Sequence, residues 1–124
     1  MTGQKLLGAL YAWGADPDTA IRRLVGDEEF YLSLVKRLSD GMDIQKIREL
    51  NDSGDLNETF MLVHRMKGSA ADLSLIPRFE ILDELTEELR PRKHGLSREQ
   101  MDRLENCAEG FLDIVSANRT ITDI

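Results

Sequence analysis

The stretch Phe60-Met61-Leu62-Val63-His64-Arg65-Met66-Lys67-Gly68-Ser69-Ala70-Ala71-Asp72-Leu73 decides the reading of this chain. At about 100° per residue, Thr59, Leu62, Val63, Met66, Ala70 and Leu73 fall within one arc of roughly 100°. That arc is the core stripe of a helix. His64 lies roughly 150° from its centre, so it is predicted to face solvent. Phe60, Met61, Lys67, Gly68 and Ala71 share its face at spacings of three, four and seven. A solvated face normally carries Glu, Lys and Gln. This one carries two large apolar residues and two with almost no side chain. Glycine inside a helix costs about 1 kcal/mol relative to alanine. Close approach of another molecule beside His64 is a physical reason for Gly68.

Lys67 stands one turn from His64, within side-chain reach. A neutral imidazole nitrogen is a competent nucleophile. A cation one turn away can hold a phosphoryl group on that nitrogen by charge-assisted hydrogen bonds. Nucleophile, cation and bare backbone on one face together point to a reversible phosphoryl carrier.

Outward from this segment the pattern is helical almost throughout. Upstream, Asp55 with Glu58 resembles a capping box that opens the His64 helix over about 56–73. Asn51-Asp52-Ser53-Gly54 reads as a loop. A helix from about Asp43 carries Ile44, Ile47 and Leu50. Before it, Asp27 starts a helix with the stripe Tyr31, Leu34, Val35 and Leu38, ended by Asp40-Gly41. Asp16-Pro17 reads as an N-cap with proline at the first helical position, and Gly26 stops that helix. Downstream, Pro77 begins a helix to about Leu89 with Phe79, Leu82 and Leu85. Ser97 with Gln100 forms a capping box for a last helix bearing Met101, Leu104, Ala108, Phe111 and Val115. The residues from about Asn118 are expected to fray. No segment alternates as a strand does.

The fold predicted is all-α: an up-and-down antiparallel four-helix bundle with short additional N-terminal helices. It forms a single domain over 1–124, with the bundle over about 28–118 and the N-terminal helices over about 4–26. The length of 124 residues suits one core.

Composition excludes several classes. A net charge of -7, with basic residues scattered among acids, argues against nucleic-acid binding. The single cysteine, Cys107, forms no internal disulfide and offers no thiol pair for zinc. No apolar run reaches the roughly 18 residues of a membrane helix. No phosphate-cradling glycine loop for ATP or a dinucleotide occurs. Lys5 followed by Leu6 to Ala15 loosely imitates a signal peptide. The lone Lys and the interrupting Tyr11 and Trp13 favour an amphipathic N-terminal helix covering one end of the domain, and a cytoplasmic protein is expected. Acids such as Asp83-Glu84 and Glu87-Glu88 read as a solvated helix face. His94, in the Arg90-Pro91-Arg92-Lys93-His94-Gly95 turn, is assigned no role.

The segment His64-Arg65-Met66-Lys67-Gly68-Ser69-Ala70 resembles the signature of histidine phosphotransfer (HPt) domains, H-x-[LM]-K-G-[SA]-[SA]. These are the intermediates of multistep two-component phosphorelays. Gly14-Ala15-Asp16-Pro17 and Ala20 to Tyr31 resemble the family's N-terminal helices, and Ser53-Gly54-Asp55 the turn before its histidine helix. The resemblance covers most of the chain and is weakest after about Pro77. The chain departs from the pattern at Val63, where a small residue is frequent, and at Ser74, where glycine often stands ten residues after the histidine.

The resemblance implies that His64 is the phosphoacceptor, that Lys67 assists the phosphoryl group and that Gly68 admits a partner. Phe60, Met61, Arg65 and Ala71 are the expected docking residues. The expected partner is a response-regulator receiver domain, a hybrid sensor histidine kinase, or both. The receiver's own aspartate and Mg2+ would serve the transfer, so no cofactor or metal is expected on this chain. A free-standing monomer that shuttles phosphate without turning over a small substrate is expected. A non-catalytic helical adaptor bundle that docks a receiver-like partner is the alternative. The dimerisation domain of a sensor kinase fits less well. That family places an acid directly after its histidine and a proline soon after, whereas Arg65 stands here and no proline occurs before Pro77.

Overall fold

The computed structural model describes residues 2–39 and 42–118. The chain is all-helical there, with seven helices: α1 (Thr2–Trp13), α2 (Pro17–Arg23), α3 (Glu28–Leu38), α4 (Met42–Asp52), α5 (Leu56–Asp72), α6 (Ile76–Leu89) and α7 (Arg98–Ala117). Among the described residues no helix is long and apolar enough to cross a membrane.

Helices α4 to α7 close into a ring, each packed against the next and α4 against α7. Short connections make sequential neighbours antiparallel. The cross-helix contacts agree. Lys67 meets Asp83 and Phe60 meets Arg90 along α5–α6, and Arg48 meets Glu105 between α4 and α7. The ring therefore begins at α4. Helix α3 lies outside it, against α2, yet buries Tyr31 and Val35 completely. The Tyr31 hydroxyl donates to the Leu73 carbonyl at 2.9 Å, which ties α3 to the end of α5. Burial raises the pKa of this phenol, with smaller contributions from Tyr11 and Asp16.

The expected stripes are the core. On α5, Thr59, Leu62, Val63, Met66, Ala70 and Leu73 are all buried. Leu82, Leu85 and Leu89 from α6 and Met101, Leu104, Phe111 and Val115 from α7 face them. Val63 is fully enclosed, so the β-branched residue beside His64 is accommodated in the core.

Capping follows the sequence. Asp16, Asp27 and Asp55 each accept from the backbone N–H three residues on, and Ser97 with Gln100 forms a reciprocal capping box. The first helix is not an isolated apolar segment. Leu6 and Leu10 are buried, and Trp13 stacks on Phe111 of α7 with ring centroids 5.3 Å apart. The turn after α1 rests on the α5–α6 turn, where the Asp16 N–H donates to the Ser74 carbonyl at 2.9 Å.

Two boundaries differ from the sequence reading. Asn51 and Asp52 belong to α4 and not to a loop. The Asn51 amide pairs with both backbone groups of Leu96, so its polarity serves a tertiary contact. Gly95 permits this approach, since a Cβ there would lie 2.4 Å from Asn51 Oδ1. The second difference is at the end of α2. Val25, with φ 59°, takes the left-handed position, and Gly26 follows it at φ 77°. The proposed stop at Asp40-Gly41 and the frayed end beyond Asn118 lie outside the described residues.

The end of α5 explains Ser74. The Leu75 N–H donates to the Ala70 carbonyl at 2.9 Å and the Ser74 N–H to the Ala71 carbonyl at 3.1 Å. This is a Schellman termination, which needs a left-handed residue and usually takes glycine. Ser74 fills it at φ 53°. The helix ends where a glycine would end it, with strain in place of glycine's freedom.

Candidate functional site

His64 sits midway along α5, opposite the buried stripe, and is exposed. The helix presents it between Met61, which is 50% exposed, and Gly68, also exposed. A Cβ built on Gly68 would meet nothing within 4 Å. Nothing among the described residues therefore requires glycine there. Arg65 is exposed beside His64, and Ala71 is half-buried one turn beyond Gly68. The Ala71 carbonyl accepts from Arg23 of α2 at 2.9 Å, which draws α2 towards the end of this face.

Lys67 is not a free cation in this arrangement. Its ammonium lies 3.2 Å from the Asp83 carboxylate of α6, and its side chain is only 20% exposed. The same α6 face carries Glu87, which grips Arg90 at 2.7 Å. The Arg90 hydrogen bond holds the Glu87 carboxyl below its usual range, with Lys67 and His64 contributing less. Glu84 pairs with Arg103, and Glu88 faces His94 at 3.7 Å. Asp83 and Glu87 thus border the His64 face, while Glu84 and Glu88 pair with cations of α7 and the turn before it. Among the described residues no three His, Cys, Asp or Glu side chains come together to hold a metal.

Phe60 requires a correction. The sequence places it among the docking residues, at the edge of the patch, and it is only 7% exposed. Its ring lies parallel to the imidazole of His64, with centroids 5.6 Å apart and 5° between planes. The Arg92 guanidinium covers the ring at 3.6 Å, and Arg90 stands 5.6 Å from its centroid. Helix periodicity places Phe60 beside His64 correctly but contains nothing about the α6–α7 turn that folds over it. Arg90, Arg92 and Asp83 are site neighbours that the sequence reading did not single out. A signal was present: counting equal distances either side of Leu75, at the turn of an antiparallel pair, sets Arg90 opposite Phe60 and Asp83 opposite Lys67.

The imidazole is solvent-facing and stands beside a bare helix patch. The Hpt domain family profile matches residues 39–113, which run from the end of α3 through most of α7. The chain belongs to the Hpt domain family, the histidine phosphotransfer modules of two-component phosphorelays. No curated protein and no solved structure matches it.

Proposed function

We propose that this chain accepts a phosphoryl group on His64 from a receiver-domain aspartate and passes it to a second receiver. The carrying observation is the combination on one helix face: His64 exposed, Lys67 a turn away, and Gly68 with open space where a side chain would stand. A lone pair of the imidazole attacks phosphorus in line. The nitrogen–phosphorus bond forms as the aspartyl oxygen–phosphorus bond breaks, and the receiver's carboxylate leaves with the electron pair. The step needs positioning and charge stabilisation more than covalent chemistry from the protein. Lys67 supplies the cation after exchanging Asp83 for the phosphoryl oxygens. Met61, Arg65, Gly68 and Ala71 form the docking patch, and Phe60 backs the imidazole. Mg2+ belongs to the receiver.

The test is transfer from a labelled phosphorylated receiver to the wild type and to His64→Gln. Acid-labile, alkali-stable label on the wild type alone is the expected result. Label on both proteins would move the acceptor elsewhere. No label from a broad panel of receivers would favour the adaptor reading.

A further inference from the structure

The neighbourhood of Phe60 holds more than packing requires. Met61 beside it stands half exposed, whereas Phe60 is covered. Phe60 is pinned under Arg92, and Arg92 is itself pinned. Its backbone is in the left-handed region at φ 54°, which an arginine rarely adopts. That turn carries the side chain back over α5. There one guanidinium nitrogen donates to the Arg90 carbonyl at 2.7 Å and another to Asn57 Oδ1 at 3.3 Å. The guanidinium carbon then rests 3.6 Å from the Phe60 centroid, in van der Waals contact with the ring. A planar guanidinium stacks this way on an aromatic face, and an ammonium does not. The same ring is parallel to His64 within 5°.

We infer that Arg92 is a positioning residue for His64: it clamps Phe60 as a fixed plate against which the imidazole lies flat with its nitrogens presented at the helix surface. Arg92 acts through Phe60 and is assigned no contact with the phosphoryl group. The inference rests on the phosphocarrier reading for its consequence, though not for its geometry. Holding a nucleophile near its attack geometry removes rotamers that must otherwise be frozen at each transfer. The expected benefit is about three- to tenfold in the rate of phosphoryl acceptance, the size of one restrained side chain.

The experiment compares wild type, Arg92→Ala, Arg92→Lys, Asn57→Ala and Phe60→Leu. It measures the rate of His64 phosphorylation by phosphoramidate, a small donor that needs no docking surface, and the NMR shifts of the His64 ring protons. Arg92→Ala is expected to slow phosphorylation about three- to tenfold and to move the ring shifts towards those of Phe60→Leu. Arg92→Lys is expected to restore less than half of the loss. Asn57→Ala, which removes one of the two tethers of the guanidinium, should slow phosphorylation by less than Arg92→Ala does. Wild-type rate and wild-type ring shifts in Arg92→Ala would overturn the inference, whatever its melting temperature. A wild type that takes no phosphate from phosphoramidate or from any receiver would instead remove the phosphocarrier reading. The ring shifts would still decide whether Arg92 holds the plate.

Discussion

Replacing Gly68 separates what α5 needs from what its partner needs. The residue is exposed, inside a helix, and a Cβ there meets nothing within 4 Å. Alanine therefore adds helix propensity without a clash, a gain of about 1 kcal/mol. For a domain of this size that raises the melting temperature by about 3–5 °C. Glutamine should gain somewhat less than alanine, by a few tenths of a kcal/mol. The side chain it adds projects from the surface beside His64. If Gly68 admits a receiver, Gly68→Gln should cut receiver-driven phosphorylation by about tenfold or more, equivalent to roughly 1.4 kcal/mol. Phosphorylation by phosphoramidate should stay at the wild-type rate. The assays are urea unfolding for stability, and labelled transfer from a receiver beside the small donor for function. A loss of stability in Gly68→Ala would contradict the open helix position. Unchanged receiver transfer in Gly68→Gln would refute close approach as the reason for glycine.

Three further outcomes follow from the same contacts. Asp83→Asn should free Lys67; a partly exposed pair is worth about 0.5–1 kcal/mol, so the phosphohistidine should gain about two- to fivefold in its transfer equilibrium. A shift towards the unphosphorylated form would show that Asp83 helps the carrier. Ser74→Gly and Val25→Gly should each stabilise by about 0.5–1 kcal/mol in chemical denaturation, because both wild-type residues sit at positive φ. Val25 is the cleaner test, being 96% exposed with little packing to lose. Tyr31→Phe should cost about 1 kcal/mol, since the phenol's bond to the Leu73 carbonyl is buried, and an unchanged unfolding midpoint would place that bond outside the folding balance.

What was legible in the sequence is what one helix can encode by itself. The α5 stripe from Thr59 to Leu73, the aspartate caps and the Ser97–Gln100 box depend on local spacing, and the structure realises each. The exposure of His64 follows from the same periodicity. What escaped depends on two elements meeting. Phe60 looked like a docking residue because periodicity carries no information about Arg92, which lies just past the end of α6 and is folded back by its left-handed backbone. Asn51 looked like a loop residue because its partner, the Leu96 backbone, lies far along the chain. Lys67 looked like a waiting cation because composition does not say that Asp83 will lie opposite it. Ser74 shows the converse. The glycine-type conformation is dictated by the chain reversal between α5 and α6, so it persists when the residue is serine.

The most direct test of the central claim is phosphorus NMR on the protein after phosphorylation by a receiver, correlating the phosphorus nucleus with imidazole ring protons. The account predicts one phosphoramidate-type phosphorus signal coupled to the ring protons of His64 and absent from His64→Gln. A phosphorus signal coupled to His94, or one that survives in His64→Gln, would contradict it.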